Sequence, residues 1–186
     1  MKTKGFTLVE LAIVLVIVGI ILGGVLKGQE IIANAKIKRI VNDYKGYLAA
    51  IYTYQERYSA LPGDDRRASA RFSGCSGISN GDGDGRMDDE DGTTWGRYWL
   101  HLRCAGIIPG SGSNHPTHAF GGRVQINYDS FNLSGHTLCF YNMPGDIAEI
   151  IDLKNDDGIP NKGSIQGHGS ATSYNHDSSY TLCFRL

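Results

Sequence analysis

The sequence predicts an α+β chain, in which one long N-terminal helix packs on a small antiparallel sheet within a loop-rich head. Residues 6–26 form a 21-residue run that is apolar or small except at Thr7 and Glu10. An amphipathic stripe follows as far as about Tyr58. The remainder is rich in glycine and contains short apolar segments separated by turn residues, which is typical of a loop-rich head with a few strands.

The apolar run has the length of a membrane-spanning helix. At about 1.5 Å per residue it extends roughly 30 Å, the thickness of the bilayer hydrocarbon. A helix buried in a soluble core is rarely apolar on all sides over this length. A cleavable secretory signal fits less well, because its apolar region is shorter and ends at a small-x-small site, whereas a helical pattern continues beyond Gly23 and Gly24. We therefore predict a retained membrane helix.

Glu10 is the unusual residue of this helix. An ionised carboxylate within a membrane segment costs about a few kcal/mol and usually faces a protein partner. The alternative is that Glu10 lies near the interface and reaches the headgroups. Composition does not distinguish the two.

The helix is predicted to continue beyond the membrane. Apolar and aromatic residues recur at intervals of three and four, and Pro62-Gly63 ends the pattern. A helix over about residues 6–59 would be roughly 80 Å long. The residues of the stripe are Ile37, Ile40, Val41, Tyr44, Tyr47, Leu48, Ile51, Tyr52 and Tyr58.

The head is predicted to combine loops, two short helices and three strands. Residues 61–93 are expected to be loop. A short helix that ends at Gly106 follows, and it contains Trp95, Tyr98, Trp99 and Leu102. One or two helical turns are expected after Pro144, over residues 145–151. Strands are expected at about 122–128, 136–142 and 180–185. The identical tetrapeptides at residues 137–140 and 181–184 favour neighbouring strands.

Charge and motif content argue against an enzyme or a nucleic-acid-binding protein. The net charge is -1, and the basic group Lys36, Lys38 and Arg39 is better explained as a solvated or intersubunit face than as a DNA site. The chain contains no Gly-x-Ser-x-Gly, P-loop or His-Glu-x-x-His pattern. His115 and His118 lack a defined third metal ligand. We expect no catalytic residue.

The acidic loop, residues 80–91, is the main candidate metal site. Its spacing follows a twelve-residue calcium loop, with Gly85 at the position of the turn and a weaker Asp at the twelfth position. The alternative is a flexible acidic loop that keeps the surface soluble. The predicted ligands are Asn80, Asp82, Asp84, Arg86 through its carbonyl, Asp88 and Asp91.

The N-terminus closely resembles that of type IV pilins and type II secretion pseudopilins. The resemblance lies in the string Lys4-Gly5-Phe6-Thr7-Leu8-Val9-Glu10 followed by about twenty apolar residues. It implies that a prepilin peptidase cuts between Gly5 and Phe6 and methylates the new Phe6 amine. It also implies that Glu10 pairs with the Phe6 amine of a neighbouring subunit during assembly.

The resemblance implies a pilin-like architecture and a structural role. Its expected segments are a leader at 1–5, a transmembrane and filament-core helix at 6–26, an amphipathic helix at 27–60 and a periplasmic or extracellular head at 61–186. Many pilins have Pro where this chain has Lys27, so local melting of the helix would depend on the glycines between residues 19 and 28.

The implied partners are further copies of the chain, the prepilin peptidase, an inner-membrane assembly platform and, before assembly, membrane lipid. The precursor is expected to cross the bacterial inner membrane once with its N-terminus in the cytoplasm, and later to join a periplasmic or surface filament. The size of the head and its C-terminal cysteine pair favour a type IV pilus, whereas the acidic loops favour a pseudopilus that acts in protein export. A minor tip subunit that binds DNA or a surface through loops 111–120 or 164–179 is the third alternative.

Four cysteines in an exported head indicate two disulfides rather than free buried thiols. Of three connectivities we favour Cys75 with Cys104 and Cys139 with Cys183, the second of which closes a C-terminal loop as in many pilins. The resemblance to the major pseudopilins also favours a second, weaker calcium site near the C-terminus. Its candidate ligands are Asp152, Asp156 and Asp157.

Overall fold

The computed structural model describes residues 7–87 and 96–186. The chain divides into two compact units, residues 1–38 and 39–186. The elements of the described residues are α1 (Leu8–Tyr58), α2 (Ala68–Arg71), α3 (Arg97–Cys104), β1 (Val124–Ser130), β2 (Leu133–Pro144), α4 (Gly145–Asn155), β3 (Ile165–Gln166) and β4 (Ser179–Arg185).

The first unit consists of the N-terminal part of α1. All large apolar residues from Leu8 to Leu26 are exposed, with 44% to 88% of their surface accessible. Among the described residues, α1 is the helix that is long and apolar enough to cross a membrane. The helix runs without interruption through Gly19, Gly23 and Gly24, and the space where a side chain would stand at each of these glycines is open. Melting at these glycines in a filament stays a prediction.

In the second unit, the C-terminal part of α1 packs on the head through aromatic side chains. Tyr44 stacks on Phe184 with ring centroids 4.7 Å apart, and Tyr47 meets Trp99 edge to face at 4.8 Å. Tyr54 is fully buried, and its hydroxyl donates to Asp65 Oδ2 at 3.0 Å. Most of the three- and four-residue stripe therefore faces the core, as the sequence predicts, whereas Tyr52, which the predicted stripe includes, is exposed.

The sheet has the strand order β1-β2-β4-β3, and all of its pairs are antiparallel. The identical tetrapeptides lie opposite each other on β2 and β4, with Cys139 facing Cys183. These two cysteines form a disulfide with Cα atoms 4.0 Å apart, and both are buried beside Leu133. The α+β layout of a long helix on a small antiparallel sheet is confirmed.

The second disulfide joins Cys75, in the loop after α2, to Cys104 at the end of α3. The structure thus forms both cysteine pairs that the sequence favours. The two crosslinks tie different parts of the head together, since one joins the loop after α2 to α3 and the other joins β2 to β4.

Three details of the sequence prediction are wrong. Residues 61–93 were expected to be loop, but they include the single turn of α2. β3 was not predicted, and α4 extends over 11 residues rather than one or two turns. Two- and four-residue elements are too short for a periodic pattern. The polar second half of α4 hid its continuation.

Candidate functional site

Glu10 forms a capping box at the start of α1. The amide and the hydroxyl of Thr7 each donate to Glu10 Oε2 at 2.8 Å, and the Glu10 amide donates to the Thr7 hydroxyl oxygen at 3.2 Å. This reciprocal pattern satisfies amides that a helix start otherwise leaves unpaired. The carboxylate therefore has a partner within its own chain. The signal, Thr-x-x-Glu before an apolar run, is visible in the sequence, but its local role was missed.

The two residues that flank the expected cleavage site, Gly5 and Phe6, lie outside the described residues. Cleavage between them and pairing of Glu10 with a Phe6 amine therefore stay predictions.

The structure brings together a first acidic cluster of Asp64, Asp82 and Asp84. One carboxylate oxygen from each residue lies within 4.8 Å of the others. Asp82 and Asp84 are predicted ligands, whereas Asp64 was missed because it lies in the turn between α1 and α2, 18 residues before Asp82 in sequence. Only the fold places it beside the acidic loop.

The other predicted ligands of the acidic loop have different surroundings. The Asn80 side-chain oxygen accepts from both the amide and the hydroxyl of Ser69 at 2.9 Å. The Arg86 guanidinium lies 3.7 Å from Asp84 Oδ2 and 4.5 Å from the centre of the Tyr128 ring. Asp88 and Asp91 lie outside the described residues.

Glycines let residues 81–85 lie directly on the turn that carries Asp64. A Cβ atom at Gly81 would overlap the Asp64 backbone, and the Gly81 amide donates to the Asp65 carbonyl at 3.0 Å. The Gly85 amide donates to Asp64 Oδ2 at 3.0 Å. These contacts hold the carboxylates of two distant segments against each other.

The electrostatics of this cluster disfavour three bare carboxylates. Burial raises the pKa of Asp64, and the negative charge of Asp84 and the carboxyl of Asp82 raise it further, against the opposing effect of the Gly85 and Gly83 amides. A cation that the carboxylates share would remove this repulsion.

A second acidic cluster, Asp152, Asp156 and Asp157, lies at the C-terminal end of α4. All three of the predicted ligands of the weaker site come together here. Asp152 is fully buried, and its oxygens accept from the Tyr174 hydroxyl at 2.8 Å and the Gly158 amide at 3.3 Å. Burial raises the pKa of Asp152 to about 6.

The remaining two carboxylates of the second cluster also accept hydrogen bonds from the backbone. Asp156 Oδ2 accepts from the amides of Ile165, at 2.8 Å, and Ser164. Asp157 Oδ1 accepts from the Ile159 amide at 2.9 Å. The second cluster therefore organises the loop that leads into β3, and both acidic clusters can hold a metal ion.

The buried histidines act as hydrogen-bonding links. His101 accepts from the Gly63 amide at 2.9 Å, and its other ring nitrogen lies 2.8 Å from the Ser79 carbonyl, to which it donates. His118 similarly accepts from the Phe120 amide and donates to the Tyr141 carbonyl. Within the described residues, neither histidine belongs to a group that can hold a metal.

Residues 1–26 match a family model described as the prokaryotic N-terminal methylation motif. No curated protein and no solved structure gives a significant match to the chain. The matched segment contains the capping box and the exposed apolar part of α1.

Proposed function

From the N-terminal methylation motif, by which the chain is recognised as a type IV pilin or type II secretion pseudopilin, we propose that it is the structural subunit of a type IV pilus-like filament. The motif implies processing by a prepilin peptidase and assembly into a filament, and it indicates a structural rather than a catalytic protein. The match covers 26 of 186 residues, so the proposal for the head depends on its own structure.

The observation that carries the proposal is the exposed apolar surface of α1 between Leu8 and Leu26. Such a surface is not stable in water and needs lipid or other helices around it. The helix and the motif together fit a membrane-anchored precursor. In the proposed cycle, lipid covers this surface first, and the same surface of neighbouring subunits replaces the lipid in the filament.

Glu10 is proposed to select the stagger between subunits. In the isolated chain its partner is Thr7. A cationic Phe6 amine from a neighbouring subunit would be a stronger partner, because both charges are costly in apolar surroundings until they are paired. Only the correct stagger between two subunits pairs them.

The proposed localisation follows from this cycle. The precursor crosses the inner membrane once, with Lys2 and Lys4 on the cytoplasmic side, as basic flanking residues favour. The head then lies in the periplasm, and an inner-membrane assembly platform moves the processed subunit into the filament.

Processing is tested with Gly5→Ala in cells that express the prepilin peptidase. We expect the precursor to accumulate at its full length, because the cleavage site requires the smallest residue. Gly24→Ala is the matched control, since its added methyl group meets open space. A normal shift in gel mobility from precursor to mature Gly5→Ala protein contradicts the processing model.

One observation favours the alternative of a type II secretion pseudopilin. The second acidic cluster assembles the three carboxylates that the resemblance to major pseudopilins suggests for calcium. We extend the proposal to calcium at this cluster and at the acidic loop, because ligand sets made only of oxygen suit calcium.

The two assemblies are distinguished by electron microscopy of the native filament and by the neighbouring genes. Long surface filaments and a retraction ATPase support the pilus, and short periplasmic filaments with a secretin and a secretion ATPase support the pseudopilus. A trace amount of the chain in sheared filaments would instead identify a minor tip subunit, for which loops 111–120 and 164–179 are the binding candidates.

A further inference from the structure

We propose that Asp64 is the anchoring ligand of a calcium site shared with Asp82 and Asp84, which clamps the acidic loop onto the turn between α1 and α2. The proposal deepens the calcium assignment of the acidic loop and rests on that part of the proposed function. It replaces a ligand set contained within one loop by a set that joins two segments of the head.

The Asp64 side chain is buried and only partly hydrogen-bonded. Asp64 is only 9% exposed, and its Oδ1 atom is buried without a hydrogen-bond donor among the described residues. A buried carboxylate oxygen without a donor costs about 1–3 kcal/mol or more. Its other oxygen accepts from the Gly85 amide, which leaves Oδ1 as the atom that needs a partner.

Three carboxylates converge at this point of the head. The carboxylate oxygens of Asp64, Asp82 and Asp84 come within 4.8 Å of one another, a separation that one cation can bridge. Asp82 and Asp84 are exposed, so an ion and its water can reach the cluster from solvent. Calcium takes six to eight oxygen ligands, and water can supply those that the carboxylates do not.

The cluster concentrates negative charge. Three carboxylates carry three negative charges when ionised, and the Arg86 guanidinium lies 3.7 Å from Asp84 Oδ2. The Arg66 side chain donates to the Asp82 carbonyl rather than to its carboxylate. A hard divalent cation bound by the three carboxylates would remove this repulsion and give the Asp64 carboxylate a partner.

The second acidic cluster differs from the first in its hydrogen bonds, and this difference favours the first cluster as the calcium site. There, both oxygens of Asp152 accept hydrogen bonds, and Asp156 and Asp157 each accept from the backbone. The buried carboxylate oxygen without a donor lies in the first cluster, in the part of the chain that the structure describes.

The test is a calorimetric titration of the full chain in detergent micelles with calcium chloride, after removal of bound ions with a chelator. The variants are Asp64→Asn and Asp84→Asn, with Asp157→Asn to remove a ligand of the second cluster and Asp177→Asn as the control for loss of an exposed charge. We expect the first two variants to bind calcium at least about tenfold more weakly at one site, because affinity follows the number of charged ligands. Asp177→Asn should leave every site unchanged.

A second readout separates a ligand from a merely structural residue. Calcium should raise the unfolding temperature of wild-type protein, whereas Asp64→Asn should lose most of this increase. In chelator, Asp64→Asn should be at least as stable as wild type, because it removes a buried negative charge and keeps an oxygen that can accept from Gly85.

The outcomes are distinct. If Asp84→Asn weakens calcium binding and Asp64→Asn does not, the role of Asp64 is refuted while calcium in the acidic loop stands. If wild-type protein shows no saturable binding that depends on Asp64 or Asp84, both are refuted. Filament assembly is scored separately, so failure of the pilus proposal leaves this test unaffected.

Discussion

The two ends of α1 show how one helix serves two environments. From Leu8 to Leu26 its large apolar side chains are exposed, whereas Ile40, Ile51 and Tyr54 near the other end are almost fully buried in the head. The part of α1 from Leu8 to Leu26 is apolar on all sides, whereas the part that packs on the head is apolar on one side only. Partners of the first part must come from outside the chain, and partners of the second are already present.

Glu10→Ala should have the largest effect, because it changes the part whose partners are external. We expect membrane insertion to be maintained and filaments to be lost or rare, since the Phe6 amine of the neighbouring subunit would lack its carboxylate. Sheared filaments and the membrane fraction are measured by immunoblotting and electron microscopy.

Two matched variants sharpen the Glu10 result. Glu30→Ala removes an exposed carboxylate that pairs with Lys27 on the same helix and should assemble normally. Thr7→Ala removes the partner of Glu10 within the chain but keeps the carboxylate, so filaments should still form. Wild-type filament yield from Glu10→Ala would refute the pairing model.

The double variant Cys139→Ala/Cys183→Ala should be the most destabilising change in the head. A disulfide that closes a 44-residue loop stabilises the fold by about 4 kcal/mol through restriction of the unfolded chain. The free energy of unfolding is measured by denaturant titration with tryptophan fluorescence, since both tryptophans, Trp95 and Trp99, lie in the head.

Cys75→Ala/Cys104→Ala is the comparison for the cysteine experiment. The disulfide that it removes closes a shorter loop of 29 residues at a less buried position. The loss of unfolding free energy should therefore be smaller. Equal stability of wild type and Cys139→Ala/Cys183→Ala under oxidising conditions would show that the sheet does not depend on this crosslink.

The buried histidines should give the head a pH-dependent stability. Burial lowers the pKa of His118 below the ordinary 6.5, against the opposing effects of its bond to the Tyr141 carbonyl and of the charge of Asp43. The unfolded chain therefore binds a proton more readily than the folded chain once the pH falls below 6.5, and the stability due to His118 decreases on acidification.

The measurement is the difference in unfolding free energy between wild type and His118→Gln from pH 7.5 to 5.5. The free energy of unfolding of wild type, relative to that of His118→Gln, should decrease below pH 6.5. The decrease should be at most about 1.4 kcal/mol per pH unit. A constant difference for His118→Gln would mean that this histidine does not stay neutral in the folded head.

Tyr54→Phe should lower the free energy of unfolding by about 1–2 kcal/mol, because it removes one hydrogen bond to a buried carboxylate. In this variant, Asp65 still accepts a hydrogen bond from the Arg67 amide at 2.9 Å and still pairs with the Arg71 guanidinium at 3.1 Å. Tyr52→Phe, on the exposed side of the same helix, should change stability by less than about 0.5 kcal/mol. Equal losses from both variants would remove the distinction between the two sides of the helix.

Much of the fold follows from patterns that extend over many residues. The apolar run predicts the exposed helix, the stripe predicts its core side, and the repeated Thr-Leu-Cys-Phe segments predict the pairing of β2 with β4. α2 and β3 are too short for such patterns. The register that places Cys139 opposite Cys183 was suggested by repetition rather than by any rule of strand pairing.

In the candidate sites, ligands that are close in sequence could be predicted, whereas a ligand from a distant segment could not. Asp152, Asp156 and Asp157 lie within six residues of one another, and one helix end brings them together. Asp82 and Asp84 are equally local, but Asp64 reaches them only because the turn after α1 folds back onto the acidic loop. Spacing within one loop carries no information about a third ligand from another segment.

By itself, the sequence determined the processing motif, the membrane-length helix and the class of the fold, because each depends on the order and period of neighbouring residues. Tertiary structure decided that Asp64 is buried beside Asp82 and Asp84. The physical reason is that a hydrogen bond or a shared charge acts over a few ångströms in space, whatever the separation along the chain.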